Sequence, residues 1–388
     1  MVNWKYFSTT EPRDLRLDFL RGYFVFVMTV DHLAIFPAWT SLLTGANRLW
    51  ISAAIGFIII SGLVLGSLYR CRVKEKGWNW SVMQIGRRTI MLYLLSAISR
   101  LILATGDYVL RLFWERPSPL PENYWHLFSG ALLHTQYGFG YVDILALYAL
   151  LLPVGLGAIY FLQKGKWKWV ILVSVVVWYA ARTDPSAYHL LRIGFNGYIW
   201  QLPFILSVII GYYREEVGRW WEKRPFPKLT STLLVSSAFA LLTINYLIVF
   251  HGLWPGIDWK EVNTLIFDKF SVAPGRIFLA FWVFAGAYKL ITQFWIVWQK
   301  LLGWLLLPLG QNALIAYLVQ GYLSYFISRL PGFPFPDHDP IIMGFLHLGV
   351  VLFVWQVTRL IAHLLDNPRL NWLFIPSISP KITSETNV

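Results

Sequence analysis

Apolar residues in this chain come in long runs, and the runs have the length that a bilayer demands. Stretches of about 17 to 25 mostly apolar residues, enough for a helix to cross roughly 30 Å of hydrocarbon, fall near 17–37, 49–69, 86–106, 141–162, 168–182, 198–213, 231–250, 272–292, 301–328 and 341–364. The pattern predicts an all-α membrane bundle of about ten helices, the fifth and sixth short. No soluble domain, low-complexity tract or internal repeat interrupts it. Residues 1–366 therefore read as one transmembrane domain, and 367–388, rich in Pro and Ser, as a cytoplasmic tail.

The polar residues between the runs set the orientation. Arg70, Arg72, Lys74 and Lys76, then Lys164, Lys166 and Lys168, then Arg214, Arg219, Lys223, Arg224 and Lys228 occupy alternate connections. The other connections carry few cations, or cations balanced by acids, such as Lys260 and Lys269 among Asp258, Glu261 and Asp268. Short loops rich in Lys and Arg stay in the cytoplasm, which predicts that both termini lie inside. With 57% hydrophobic and 14% charged residues, the 388-residue chain has too little polar surface for a soluble protein of this size. The net charge of +13 then reads as topology signal and attraction to anionic lipid, with no nucleic-acid partner implied. The first run holds Asp18, Arg21 and Asp31 and lacks a small-x-small cleavage site, so it is expected to be retained. Cys71, the single cysteine, falls in a basic connection and is read as a bystander thiol.

Ionisable groups at membrane depth are expensive and usually face a protein interior or a wet cavity. The first run carries two such groups on one face, because Arg21 and His32 are eleven positions apart, about three helical turns or roughly 16 Å along the axis. Sorting the remaining polar residues by depth gives two layers. The inner layer holds Arg16, Arg21, Arg70, Arg87 and Arg88, whose planar forks suit phosphate oxygens. The outer layer holds Asp31, His32, Arg100, Asp143, Asn196, Trp200, Gln201 and Arg276, with Gln311 and Asn312 nearer mid-membrane. A histidine at that level, among acids and amides, is a candidate general base. No metal is expected.

Two further features bear on the chemistry. The outer connections 107–140 and 251–271 are long and aromatic, with Tyr108, Trp114, Tyr124, Trp125, His126, His134, Tyr137 and Phe139 in the first and Trp254 and Trp259 in the second. Such faces suit either sugar rings or an interfacial belt. The second run contains GFIIISGLVLG, whose Gly56, Gly62 and Gly66 allow close helix packing or a thin ligand threaded between helices beside Ser61.

The segments RDLRLDFLRG, YVDILALY, FNGYIWQLPF and LGQNALIAY, together with the paired arginines at the third run, resemble the OpgC family of the acyltransferase-3 superfamily, named for succinylation of osmoregulated periplasmic glucans. The chain departs from that family's pattern with Gly197 where proline is usual and Gln311 where arginine is common. The resemblance implies a bacterial inner-membrane acyltransferase that takes cytoplasmic acyl-CoA as co-substrate, with no tightly bound cofactor, and a glycan hydroxyl as acceptor. It makes His32 the essential histidine, Arg21 its partner, and Arg87 and Arg88 donor-side arginines, to which the depth sorting adds Arg16 and the glycine-rich second run adds Ser61. Asp31 or Asp143 is then expected to orient the imidazole, and Asn312, Gln311 or Gln201 to hold the oxyanion. A transporter for a polar or anionic solute is the alternative, in which the same residues bind and relay.

Overall fold

The computed structural model describes residues 13–114, 124–133, 140–184, 195–330, 333 and 339–365. His134, Tyr137, Phe139 and the tail 367–388 lie outside them. The described residues are helical almost throughout. In chain order the helices are α1 (Leu15–Leu33), α2 (Ser41–Thr44), α3 (Ala53–Lys76), α4 (Trp78–Trp114), α5 (Tyr124–Leu133), α6 (Asp143–Gln163), α7 (Trp167–Thr183), α8 (Gly197–Tyr212), α9 (Arg214–Glu222), α10 (Pro227–His251), α11 (Trp259–Val262), α12 (Pro274–Gln293), α13 (Trp295–Gln311), α14 (Ala313–Ile327) and α15 (Pro340–Leu365). A π-helical turn, Asn263–Phe267, follows α11.

A helix or helix pair occupies each of the ten apolar runs. Among the described residues six helices are long and apolar enough to cross a bilayer, or seven if one bent pair is a single span. α1 fails that test because it carries Arg16, Asp18, Arg21 and Asp31. α7 and α8, with 17 and 16 residues, are short, as their runs predict. The third run yields a helix that extends past 86–106 at both ends, to Trp78 and Trp114. The ninth run, expected as one helix over 301–328, is broken at Asn312, where α13 and α14 meet at 89°. Pro308 accounts for the weakness, since its ring removes a donor and leaves the Trp304 carbonyl without a helical partner. The Trp355 indole supplies that partner at 3.0 Å.

α1 sits in the interior, packed against α3, α13, α14 and α15. Its charges leave it no favourable contact with lipid, so the apolar helices surround it. The bundle's exterior is correspondingly apolar: Leu172, Val176, Phe239, Phe278, Ile296 and Phe345 all point outward. Such a surface is suited to hydrocarbon.

Glycines bring two helix pairs into backbone contact. A Cβ on Gly22 would lie 1.9 Å from the Leu306 carbonyl oxygen, and one on Gly310 would lie 1.7 Å from that of Asp18. α1 and α13 thus cross where neither has a side chain. On the other side, Gly62 and Gly66 of α3 meet the α8 backbone at Phe204 and Val208, and Gly211 of α8 meets Leu63. The glycine-rich motif of the second run is therefore filled by α8 at Gly62 and Gly66, which leaves no space there for a threaded ligand.

These contacts predict opposite effects from one substitution. Gly310→Ala forces α1 from α13 and is expected to cost at least about 1–3 kcal/mol. Gly157→Ala, where an added Cβ meets nothing within 4 Å, is expected to be neutral or stabilising by about 0.5–1 kcal/mol. Thermal unfolding in detergent checks both.

Candidate active site

At the N-terminal end of α1 two ionic clusters form, and they separate residues that the sequence groups together. The first is a closed knot. Asp14 caps the helix by accepting from the Arg16 amide at 3.1 Å and binds the Arg16 guanidinium through both oxygens at 2.9 Å. Arg214 and the Tyr288 hydroxyl also donate to Asp14, and Arg16 reaches Thr292 at 3.2 Å and lies over the Tyr288 ring. The Arg16 fork is thereby committed to Asp14, away from the other arginines of its layer. Arg70 is committed too, by two bonds of 2.6 and 2.7 Å to Glu216. Those bonds hold the Glu216 carboxyl down at about 2.

The second cluster is open. Asp18, 1% exposed at its side chain, takes Arg13 at 2.6 Å and Arg21 at 3.0 Å. Arg13 also donates to the Gln311 carbonyl at 3.2 Å. Arg13 and Arg21 line a cavity of about 270 Å³ between α1, α3, α4, α6 and the α13–α14 break, and Arg88 lines it from α4. Three guanidiniums against one carboxylate leave that wall positive. Deeper in, Ser61 donates to the Tyr148 hydroxyl at 3.2 Å, and Tyr317, Phe57, Leu145 and Leu314 close the sides. The break contributes Gly310, Gln311 and Ala313 to the lining. Arg87 is exposed and stands outside the cavity.

His32 ends α1 on the same face, three turns from Arg21, and does not line the cavity. Val25 and Met28, both buried, fill the face between them. The imidazole Nδ1 is 3.1 Å from the amide oxygen of Gln320 on α14, and the ring meets Tyr141 edge-on with centroids 5.3 Å apart. Gln320 is fully buried.

Neither expected carboxylate holds the imidazole. Asp143 forms a fully buried ion pair with Arg100 at 2.8 Å. Asp31, the next residue round the helix, lies on the side of Thr44, Asn47 and Lys269. The amides of the outer layer are dispersed as well. Gln201 exchanges two bonds with Ser174 of α7, at 2.6 and 2.7 Å, Asn196 caps α8 at the Tyr198 amide, and Trp200 packs edge-on against Phe195. Arg276 donates to the Phe267 carbonyl at 2.8 Å beside the Trp50, Trp259 and Phe267 rings. Asn312 bonds back to the Pro308 carbonyl at 3.1 Å, which leaves Gln311 as the member of that pair on the cavity.

Arg13, Asp18, Tyr148 and Gln320 are site residues that sequence reasoning left unassigned. Asp18 and Arg21 are an i, i+3 pair and were readable as such. Gln320, an amide in an otherwise apolar helix, carries the same depth signal as Gln201.

The family model described as OpgC protein matches residues 13–367, most of the chain. No curated protein and no solved structure matches.

The closed knot has a measurable consequence. Asp14→Asn keeps the capping oxygen but removes the charge that Arg214 and the buried Arg16 both face. A loss of about 3 kcal/mol is expected, read as a lower melting temperature in detergent, whereas Arg87→Gln should leave stability unchanged.

Proposed function

The chain belongs to the OpgC family, and from that premise we propose that it is a membrane-bound O-acyltransferase. It moves an acyl group, succinyl or acetyl, from cytoplasmic acyl-CoA to a hydroxyl of an extracytoplasmic glucan or other glycan. In this reading all ten helical segments traverse a bacterial inner membrane, and both termini face the cytoplasm, because the basic connections lie on one side.

The observation that carries the reading is α1 itself, which lends Arg21 to a positive cavity at one end and His32 to a half-buried, hydrogen-bonded position at the other. Arg13, Arg21 and Arg88 bind the phosphates of the donor. Its pantetheine arm runs past Ser61 and Tyr148 toward His32, a distance of roughly 16 Å along the helix. Val25 and Met28 stand in that path, so the donor parts the bundle there as it seats.

His32 acts as general base. Its free ring nitrogen takes the proton of the acceptor hydroxyl while the oxygen attacks the thioester carbonyl. The tetrahedral intermediate collapses, the carbon–sulfur bond breaks, and the thiolate takes the proton from the imidazolium. The products are an O-acyl ester and free CoA. Gln311, whose carbonyl accepts from Arg13 at the phosphate end of the cavity, belongs with the donor's phosphates in this reading and not with the oxyanion at His32. Arg16 and Arg70, committed to carboxylates, serve the scaffold.

The test is CoA release from acetyl-CoA and succinyl-CoA by protein in nanodiscs, with a glucan present. His32→Ala is expected to lower kcat by at least about 100-fold. Arg88→Gln should raise KM for the donor about tenfold, equal to about 1.4 kcal/mol of binding, with little change in kcat. Thiol release that His32→Ala matches overturns the base, and silence of the wild type with both donors favours a transporter.

A further inference from the structure

Gln320 touches the imidazole and takes no part in the steps above. We propose that Gln320 is the positioning residue of His32: its amide oxygen accepts the Nδ1 proton and so leaves Nε2 as the basic nitrogen. The inference rests on the reading of His32 as general base.

Three observations place the amide in that role. The bond to His32, at 3.1 Å, is the only hydrogen bond that the Gln320 side chain makes among the described residues. The side chain is fully buried, so no bulk water competes for the oxygen. The neighbouring Gly321 lets α14 approach closely enough, since a Cβ there would lie 3.0 Å from the Tyr141 carbonyl oxygen. Tyr141 in turn packs against the imidazole in a T-shaped contact at 85°, a second neighbour of the ring beside the amide.

A neutral imidazole has one N–H, and the hydrogen bond made by one nitrogen decides which nitrogen keeps the lone pair. An amide oxygen is an obligate acceptor, so opposite Gln320 the proton stays on Nδ1. A carboxylate in the same position would hold the proton there and stabilise the imidazolium as well. Neither acid at this level is bonded to the imidazole: Asp143 pairs with Arg100, and the ring nitrogen that is bonded among the described residues faces Gln320. The amide thus sets orientation and tautomer without adding a charge to a buried site. Its own nitrogen, buried without a partner, remains as a donor beside the base.

Gln320→Leu removes the acceptor at similar size, and Gln320→Glu keeps it. In the nanodisc assay Gln320→Leu is expected to lower kcat at least about tenfold, a part of the roughly 10²–10⁴-fold that a general base supplies, with KM for acyl-CoA changed less than about twofold. Gln320→Glu should restore most of kcat. The ¹⁵N spectrum of histidine-labelled wild type, with the His32 signal identified by its loss in His32→Ala, should show a single Nδ1–H tautomer that Gln320→Leu abolishes. A wild-type Nε2–H tautomer overturns the inference even if Gln320→Leu does not fold. So does full kcat in Gln320→Leu where His32→Ala is inactive, which leaves the base in place. Activity retained in His32→Ala removes the base itself, and the positioning role with it.

Discussion

The structure is organised by the cost of placing α1 in a membrane. Arg16, Asp18, Arg21, Asp31 and His32 lie on one 19-residue helix, and lipid offers none of them a partner. Enclosure is the available solution, and it requires neighbours that come very close. Gly22 and Gly310 provide that approach on the α13 side, where the two backbones touch. Apolar association between helices is weak in a bilayer because lipid tails are as apolar as leucine. Close packing at small residues, with ion pairs sealed inside it, takes over that role here.

The same enclosure sorts the charges into those matched by carboxylates within the bundle and those left in excess around a cavity. Asp14 binds Arg16 and Arg214, Glu216 binds Arg70, and Asp143 binds Arg100. Each of these arginines faces a carboxylate with strong geometry. Around Asp18 two arginines, Arg13 and Arg21, share one carboxylate as they do at Asp14, but here a third, Arg88, faces the same space and a cavity opens beside them. An excess of fixed positive charge, around a cavity, is what an anionic ligand would complete. Electrostatic accounting within the bundle thus separates an arginine matched by a carboxylate from one in excess at a cavity, which proximity to the membrane surface cannot do.

Much of this was legible in the sequence. Run length gave a helix at each of the ten segments, and the eleven-residue spacing put Arg21 and His32 on one face of α1. Periodicity describes one helix at a time, however, and the partners of a buried polar group come from other helices. Asp143 was read as a partner of His32 from depth alone, yet Arg100 lies at the same depth and carries a full charge, so the ion pair forms there instead. Gln201 was read as an oxyanion donor, and Ser174 of α7 satisfies it. The glycine motif of α3 gave close packing correctly but could not say that α8 fills it. The break after Gln311 had a local signal in Pro308 and Gly310, which the long apolar run outweighed.

That break links the two ends of α1. A straight helix over the ninth run would follow one side of α1 and present a single stripe to it. Bent by 89°, the pair does two things. α13 lies against the N-terminal half of α1, where Gly310 meets the Asp18 carbonyl and Gln311 reaches the cavity. α14 then turns across the C-terminal half, placing Tyr317 on the cavity wall and Gln320 on His32. A bend at this depth exposes backbone polar groups that must be satisfied inside the protein. Trp355 binds the freed Trp304 carbonyl, and the Asn312 amide nitrogen and side chain both return to the Pro308 carbonyl. With those groups satisfied, one bent element lines the cationic cavity and also fixes the partner of the histidine. The two ends of α1 are therefore coupled through the same two helices, and a shift of α14 that widened the cavity at Tyr317 would also move the amide that holds His32.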